Sequence, residues 1–316
     1  MTLPGSPPYT EPAPLPPTPR VTLIHNERAA GRFRMSTARI LELLGEAGYA
    51  GEHVPTETEA DLKAALGDAG DLVVAAGGDG TVRGVALTLA ALGSRVPLAP
   101  LPLGTANNIA RTLGLVGTTE ALVRGLARPY RRPFDLGCVH APWGGAHFLE
   151  AFGVGLFAHG MEQYRPQAGK SLLRAARAAF ETFLRYEARD YRLELGGVDY
   201  SGRYLMVEVM NTAAMGLRLH IAPGADPSDG LFDVMLVRED RTVSPFRYLR
   251  GFATSGLDAF PNALRVRTDT VKLLWDGLPL HFDEEVRGDD DGSVPGGDLT
   301  ITLQPGALTL WLPHPT

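Results

Sequence analysis

Apolar positions between residues 21 and 128 come in alternating blocks of two kinds. Val21 to His25 is a short apolar run ending at a loop, and residues 33–47 follow with helix spacing, Met35, Ile40, Leu41 and Leu44 being candidates for burial. Asp71 to Ala76 is nearly continuous in apolar character, the pattern of a parallel strand covered on both faces. Thr81 to Leu92 then sets Val82, Val85, Leu89 and Leu92 three and four residues apart, a helical stripe. Val96 to Leu101 predicts another strand and Thr105 to Leu113 another helix, stopped by Gly114. Repeated strand–helix units predict a doubly wound α/β domain.

Beyond residue 133 the period shortens. Segments 191–195, 203–210, 231–237, 264–275, 278–283, 298–303 and 307–312 are short, and Leu264–Arg267 and Leu299–Leu303 alternate apolar with polar. Glycine-rich turns separate them, so a mainly antiparallel, β-sandwich-like second domain is expected, interrupted by helices at about 171–187 and 245–252. The first twenty residues carry eight prolines and cannot form a ladder or a helix. The expected organisation is a Pro-rich tail over 1–20, an α/β domain over 21–132 and a β-rich domain over 133–316, whose last strand is free to return to the first.

Composition narrows the function. The chain is 44% hydrophobic with a net charge of −6, which disfavours wrapping of nucleic acid, since phosphate-backbone affinity needs clustered Lys and Arg. Cys138, the one cysteine, excludes an internal disulfide and a cysteine-rich zinc site. No apolar run approaches the roughly 20 residues that span a bilayer, and no signal-peptide core is visible, so the chain reads as soluble and cytoplasmic.

The sharpest chemical signal is Gly77-Gly78-Asp79-Gly80-Thr81, between the apolar strand and the amphipathic helix. Consecutive glycines let backbone approach a ligand without Cβ interference, and the amides of the following helix start favour an anion. The plainer alternative is a structural turn with Asp79 capping its helix. A second turn, Pro102-Leu103-Gly104-Thr105-Ala106-Asn107-Asn108, occupies the next unit, where Thr105 is placed to cap a helix and reach a phosphate. Both turns fall at the carboxyl ends of strands, where open α/β sheets bind nucleotides. Neither is GxGxxG or a Walker loop.

GGDGT followed by PLGTANNIAR resembles the diacylglycerol kinase catalytic family, particularly its soluble bacterial lipid kinases and their sphingosine kinase relatives. The resemblance covers residues 21–313. It implies an α/β nucleotide domain, a β-sandwich-like domain and an active site in the cleft between them. It places ATP phosphates over the amides of Gly78, Gly80 and Thr81, with Gly77, Asp79, Gly104, Thr105 and Asn107 around them. It also brings Asn26 and Gly31 near the nucleotide, where the family reads NPxSG and this chain reads NERAAG, and adds Thr56 after the second strand. Ala222–Asp233 resembles the family's structural magnesium segment, with Asp229 supplying a carboxylate and Asp226 and Leu231 carbonyls, an oxygen set suited to Mg²⁺. A plain turn at Asp229-Gly230 is the alternative.

Phe282-Asp283-Glu284-Glu285 stands where the family has Asp-Gly-Glu, whose glutamate is the general base for the lipid hydroxyl. Glu285 takes that place and Glu284 replaces the glycine; an acidic loop and an alignment on Asp276-Gly277-Leu278 are the alternatives. Arg83-Gly84 and Asn108 also depart from the family by removing acidic residues. The resemblance therefore implies an ATP- and magnesium-dependent lipid kinase in which Asp79 orients metal-bound water or the nucleotide and Glu285 accepts the hydroxyl proton of diacylglycerol or a related alcohol. Arg165, Lys170, Arg174, Arg177, Arg185, Arg189 and Arg192 make residues 165–192 a basic stretch, read either as a solvated helix face or as a dock for anionic lipid at a membrane surface. A homodimer is compatible with the resemblance, and nucleic acid is not a partner. An NAD kinase-like phosphotransferase and a nucleotide-binding module without catalysis are the alternative functions.

Overall fold

In the computed structural model, residues 18–26, 35–163, 186–216, 218–240, 262–289 and 294–314 are described. The Pro-rich tail to residue 17, Gly31, and the helices expected at 171–187 and 245–252 lie outside them, apart from residues 186 and 187. The chain divides into two compact units. Unit 1 takes Met1–Leu136, Pro227–Asp229 and Pro305–Thr316, and unit 2 takes Gly137–Asp226 and Gly230–Gln304.

In chain order, unit 1 runs β1 (Arg20–His25), α1 (Thr37–Glu46), β2 (Ala50–His53), α2 (Glu59–Gly67), β3 (Leu72–Gly77), α3 (Asp79–Ala91), β4 (Leu98–Pro102), α4 (Asn108–Thr112) and α5 (Thr119–Gly125). All six residues of β3 are buried, as a central parallel strand requires. Helix α1 starts where the Ser36 side chain accepts from Arg39 N–H, and it buries Ile40, Leu43 and Leu44. Leu41 and Met35 only flank that cluster, so Leu43 completes the stripe instead. Helix α2 opens with a reciprocal Thr58/Asp61 capping box. Helix α3 begins two residues before the expected Thr81 and buries Val82, Val85 and Leu89. Leu92 is 37% exposed because it is the cap residue past the last turn, off the buried stripe. The parallel order is β2-β1-β3-β4, and the C-terminal part of the last strand, β19 (Gly297–Pro313), adds in parallel beside β4 at Leu310↔Leu98. Helices α1 and α5 cover one face, sharing a core with Leu23, Leu72, Val74, Leu101 and Trp311.

Unit 2 continues with β5 (Pro129–Ala141), which begins in unit 1, then β6 (Gly144–Phe148), β7 (Ala151–Gly155), α6 (Leu156–Gln163), β8 (Arg189–Leu195), β9 (Val198–Asp199), β10 (Gly202–Tyr204) and β11 (Met206–Met210). After them come β12 (Ala214–Met215), β13 (Leu219–His220), β14 (Phe232–Val237), β15 (Ala263–Thr268), β16 (Thr270–Trp275), β17 (Leu280–Phe282) and β18 (Glu285–Arg287). Six of these form an antiparallel sheet in the order β15-β14-β11-β7-β17-β18. Its alternate residues Phe152, Val154, Val207, Val209, Phe232, Val234, Leu280 and Phe282 share one core with Leu193, Leu273, Trp275, Leu299 and Ile301 from β8, β16 and β19. That is a β-sandwich built from period-two alternation. Expected strands 298–303 and 307–312 are one strand, because Gly306, at φ +57°, bends the chain without ending it. Expected strand 264–275 is two, broken at Asp269. Helix α6 has no counterpart in the expected elements.

On the other face of the six-stranded sheet, Glu208 and His281 are both 0% exposed and meet at 3.0 Å, Nε2 to Oε2. Each lies directly opposite Gly153, on its two sides. A Cβ at Gly153 would collide with the Glu208 carboxylate. Burial alone would lower the His281 pKa, but the Glu208 carboxylate and Asp283 outweigh it and hold the imidazole above its ordinary value. Burial holds Glu208 above the usual carboxylate range, against the pull of His281. A raised folded pKa contributes stability that is complete below the unfolded value and lost as pH rises through the folded one. Both groups therefore act in the same direction, Glu208 from about pH 4.3 upward and His281 from about pH 6.5 upward, so the melting temperature should fall more steeply with rising pH in the wild type than in Glu208→Gln. Equal slopes would show that the pair does not titrate. Gly153→Ala should cost about 1–3 kcal/mol by overpacking, read from denaturant unfolding.

Candidate functional site

The loops after β1, β2, β3 and β4 all leave the carboxyl edge of the parallel sheet. The strand order reverses between β1 and β3, the switch point where such sheets take ligands. There Asn26 N–H donates to Ala76 O at 3.1 Å, setting the start of the first loop against the end of β3. Thr56 follows β2 and is half-buried. Leu103 N–H donates to Gly77 O at 2.8 Å, so the turns after β3 and β4 remain paired past their strands. They then touch at Gly78 and Gly104, where a Cβ on Gly104 would collide with the Gly78 Cα. At Gly77 a Cβ would strike the Thr81 hydroxyl. Only glycine permits this approach.

The capping expectation for Thr105 and the alternative in which Asp79 caps its own helix are both corrected. Asp79 does not cap its own helix: it is the first residue of α3, whose Gly78 N-cap has no side-chain bond. Its Oδ1 instead accepts from Ile109 N–H at 3.1 Å, satisfying the start of α4. Thr105 does not cap α4, which begins three residues later. Asn107 is its N-cap, left-handed at φ +53°, with its side chain bonded to Gly104 N and O at 2.9 Å each. The Thr81 amide is also not aimed at a ligand, since it donates to Gly78 O at 3.0 Å. Its hydroxyl, over Gly77, is the group it presents. Asn108 is buried at the first position of α4. The glycine cradle and the start of the 13-residue α3 fit a triphosphate, which needs backbone N–H groups unobstructed by Cβ atoms.

In unit 2, β17 and β18 form a hairpin with Phe282 opposite Glu285, so the turn is Asp283-Glu284. Asp283 sits at φ +50°, a region aspartate tolerates better than most residues. Its carboxylate accepts from Leu149, Glu150 and Ala151 N–H at 3.0, 2.7 and 3.2 Å, and its own N–H donates to Ala151 O at 2.8 Å. Glu284, in the family's glycine place, is not among the positive-φ residues, so this exchange imposes no left-handed strain. Glu284 and Glu285 are both exposed. Arg287 lies 5.8 Å from the Trp143 ring and 5.7 Å from Phe282, clamping the second strand.

The proposed metal residues fall along one turn-rich segment. In unit 1, Asp135 N–H donates to Pro227 O at 2.6 Å and Arg132 Nε to Ser228 Oγ at 2.8 Å, holding the stretch that ends at the exposed Asp229. In unit 2, Arg265 bonds Pro223 O at 2.8 Å and Asp233 Oδ1 at 2.7 Å, bracing the approach to Asp226. Gly230, at φ +76°, makes the turn into Leu231. One carboxylate with carbonyl oxygens is a hard donor set suited to magnesium. Among the described residues, no group of three or more His, Cys, Asp or Glu side chains is arranged for a metal, and none is expected of a carbonyl-rich set.

The family models match along most of the chain. The diacylglycerol kinase catalytic domain matches residues 20–139, and the YegS C-terminal NAD kinase beta sandwich-like domain matches 161–312. A relative named "Probable lipid kinase YegS-like" from Pseudomonas syringae pv. tomato is 32% identical over 246 residues, 76% of this chain and 75% of that protein. The chain belongs to the diacylglycerol kinase family of lipid kinases. "Diacylglycerol kinase" of Bacillus subtilis is 29% identical over 235 residues, covering 70% of this chain and 74% of its own. A crystal structure of a diacylglycerol kinase from Bacillus anthracis aligns at a TM-score of 0.64 and 21% identity, covering 93% of this chain and 96% of its own, a likeness of fold. Membership makes this lipid kinase a phosphotransferase. Among its described residues, no helix is long and apolar enough to cross a membrane.

Three groups in this lipid kinase escaped the sequence reading. Asp283 was visible as part of a motif, but its anchoring of 149–151 joins positions 132 to 134 residues apart. Asp135 is 1% exposed and accepts from Gly306 N–H at 2.7 Å, another long-range bond. Glu208 and His281 gave a faint signal, an ionisable residue in each of two apolar strands. Gly104→Ala should abolish ATP-induced thermal stabilisation and cost about 1–3 kcal/mol, because the atom struck is backbone. Gly45→Ala, with nothing within 4 Å of the added Cβ, is the control and should leave both readouts intact.

Proposed function

We propose that this lipid kinase transfers the γ-phosphate of ATP to the hydroxyl of diacylglycerol or a related lipid alcohol. The observation that carries the reading is the backbone contact between the turns after β3 and β4, in a chain of this family. Gly78 and Gly80 amides, the Thr81 hydroxyl, and Gly77, Gly104, Thr105 and Asn107 bind the triphosphate, with Asn26 and Thr56 toward the rest of the nucleotide. Asp79 orients the nucleotide between the two turns it joins. Asp229, with the carbonyls of Asp226 and Leu231, would hold the structural magnesium, and a magnesium accompanying ATP would neutralise charge on the transferring group. Glu285 accepts the proton of the attacking hydroxyl, a role that suits an exposed carboxylate on an anchored hairpin. A lipid acceptor requires work at a membrane surface, and a cytoplasmic, peripheral enzyme fits that requirement.

Labelled ATP supplied with diacylglycerol, sphingoid base or ceramide in mixed micelles, or with NAD, tests the reading. Label in diacylglycerol or another lipid alcohol is expected, and label in NAD alone would replace it with an NAD kinase. Glu285→Ala should lower turnover about 100- to 10,000-fold at an unchanged melting temperature. Full activity would remove Glu285 from the reaction.

A further inference from the structure

Glu208 and His281 are the most deeply buried ionisable pair among the described residues, at 0% exposure each, and no role above uses them. Their bond crosses a strand. Glu208 belongs to β11, which is paired on both sides by β14 and β7, while His281 belongs to β17 near the sheet's end. Gly153 of β7 lies between them, and its missing side chain is what lets them meet.

The hairpin that receives this tie is short. β17 and β18 have three residues each, and β18 is the edge of the sheet. Elements with so few ladder bonds open most easily. Leu280 and Phe282 enter the sandwich core, so His281 is the one β17 residue on the opposite face, where α6 packs across β7, β17 and β18. Two residues later Asp283 is bound to Ala151, and two residues beyond that stands Glu285. The hairpin is thus tied to the Glu208 side chain of β11 and, through its own Asp283 carboxylate, to main-chain N–H groups at the start of β7.

We propose that Glu208 and His281 are positioning residues for Glu285, their bond across Gly153 setting where the β17–β18 hairpin holds that carboxylate. The proposal deepens the lipid kinase reading and rests on Glu285 being the base. Stability does not account for the pair. Glu208 Oε1 has no hydrogen-bond partner among the described residues, and apolar groups of similar volume usually serve a core as well or better. A polar bond supplies what apolar packing lacks, a fixed direction and length between two named atoms.

The test compares full-length variants in the diacylglycerol micelle assay, with melting temperature and ATP-induced thermal shift measured alongside. Glu208→Gln keeps an acceptor for His281 Nε2–H and should retain turnover within about threefold. Glu208→Met combined with His281→Leu replaces the bond by apolar volume. Turnover should fall at least about tenfold, with the ATP KM and ATP-induced shift unchanged and the melting temperature unchanged or higher. Should that double variant not fold, His281→Asn, too short to reach Glu208, takes its place with the same expected loss of turnover. Wild-type turnover in whichever bond-breaking variant folds overturns the proposal, as does a Glu208→Gln variant as slow as that one. A fully active Glu285→Gln overturns the base assignment and this proposal together, whereas an inactive Glu285→Gln beside an unimpaired double variant overturns the positioning role alone.

Discussion

The candidate site of the first unit depends on two stretches of bare backbone lying against each other. Gly78 and Gly104 meet because neither has a Cβ, and the Leu103–Gly77 bond carries the pairing of β3 and β4 into their turns. Asp79 then bonds the start of α4 from the start of α3, so the two helix entrances are one construction. Phosphoryl transfer relies on positioning and electrostatics more than on reactive side chains. A double turn fixed in this way would supply part of the positioning that the proposed reaction needs.

The second unit solves a different problem, holding one carboxylate on a short edge hairpin. Asp283 is the principal anchor: three main-chain N–H groups converge on its carboxylate, which offsets its left-handed backbone. Charge-assisted bonds of this kind are roughly twice as strong as neutral ones. Arg287 is set against Trp143 and Phe282 on the returning strand, and His281 of the outgoing one meets Glu208 at 3.0 Å. Glu284, in place of glycine, is not at positive φ and so adds no left-handed strain to this turn.

The segment from Pro223 to Asp233 is braced in the same manner. Arg265 reads both the Asp233 carboxylate and the Pro223 carbonyl, and Asp135 bonds both Pro227 and Gly306. Buried Asp233 and Asp135 are 1% exposed each, and both are satisfied by hydrogen bonds or ion pairs, as buried carboxylates must be. These ties turn a loop rich in Gly, Pro and Asp into a defined path.

Local pattern was enough to establish the α/β half, because period and turn chemistry are near-neighbour properties. The continuous apolar run of β3, the stripe of α3 and the glycines from 77 to 80 could all be read from residues a few positions apart. The family motif at 102–108 was equally legible, and so was the alternation that makes a sandwich. Which group caps which helix was not. Thr105 was read as the cap of α4, with Asp79 on α3 as an alternative, whereas Asn107 is the α4 N-cap and Asp79 accepts from the first turn of α4. The anchoring of Asp283 and the Glu208–His281 bond over Gly153 were hidden for the same reason, since they join positions 73 to 134 residues apart. Sequence alone determined β3, α3 and the chemistry of the glycine turns, which depend on local sterics, but not α6 or the break at Asp269. The partners of the buried charges were decided only by the tertiary fold, because strand order and register, not spacing along the chain, bring them within bonding distance.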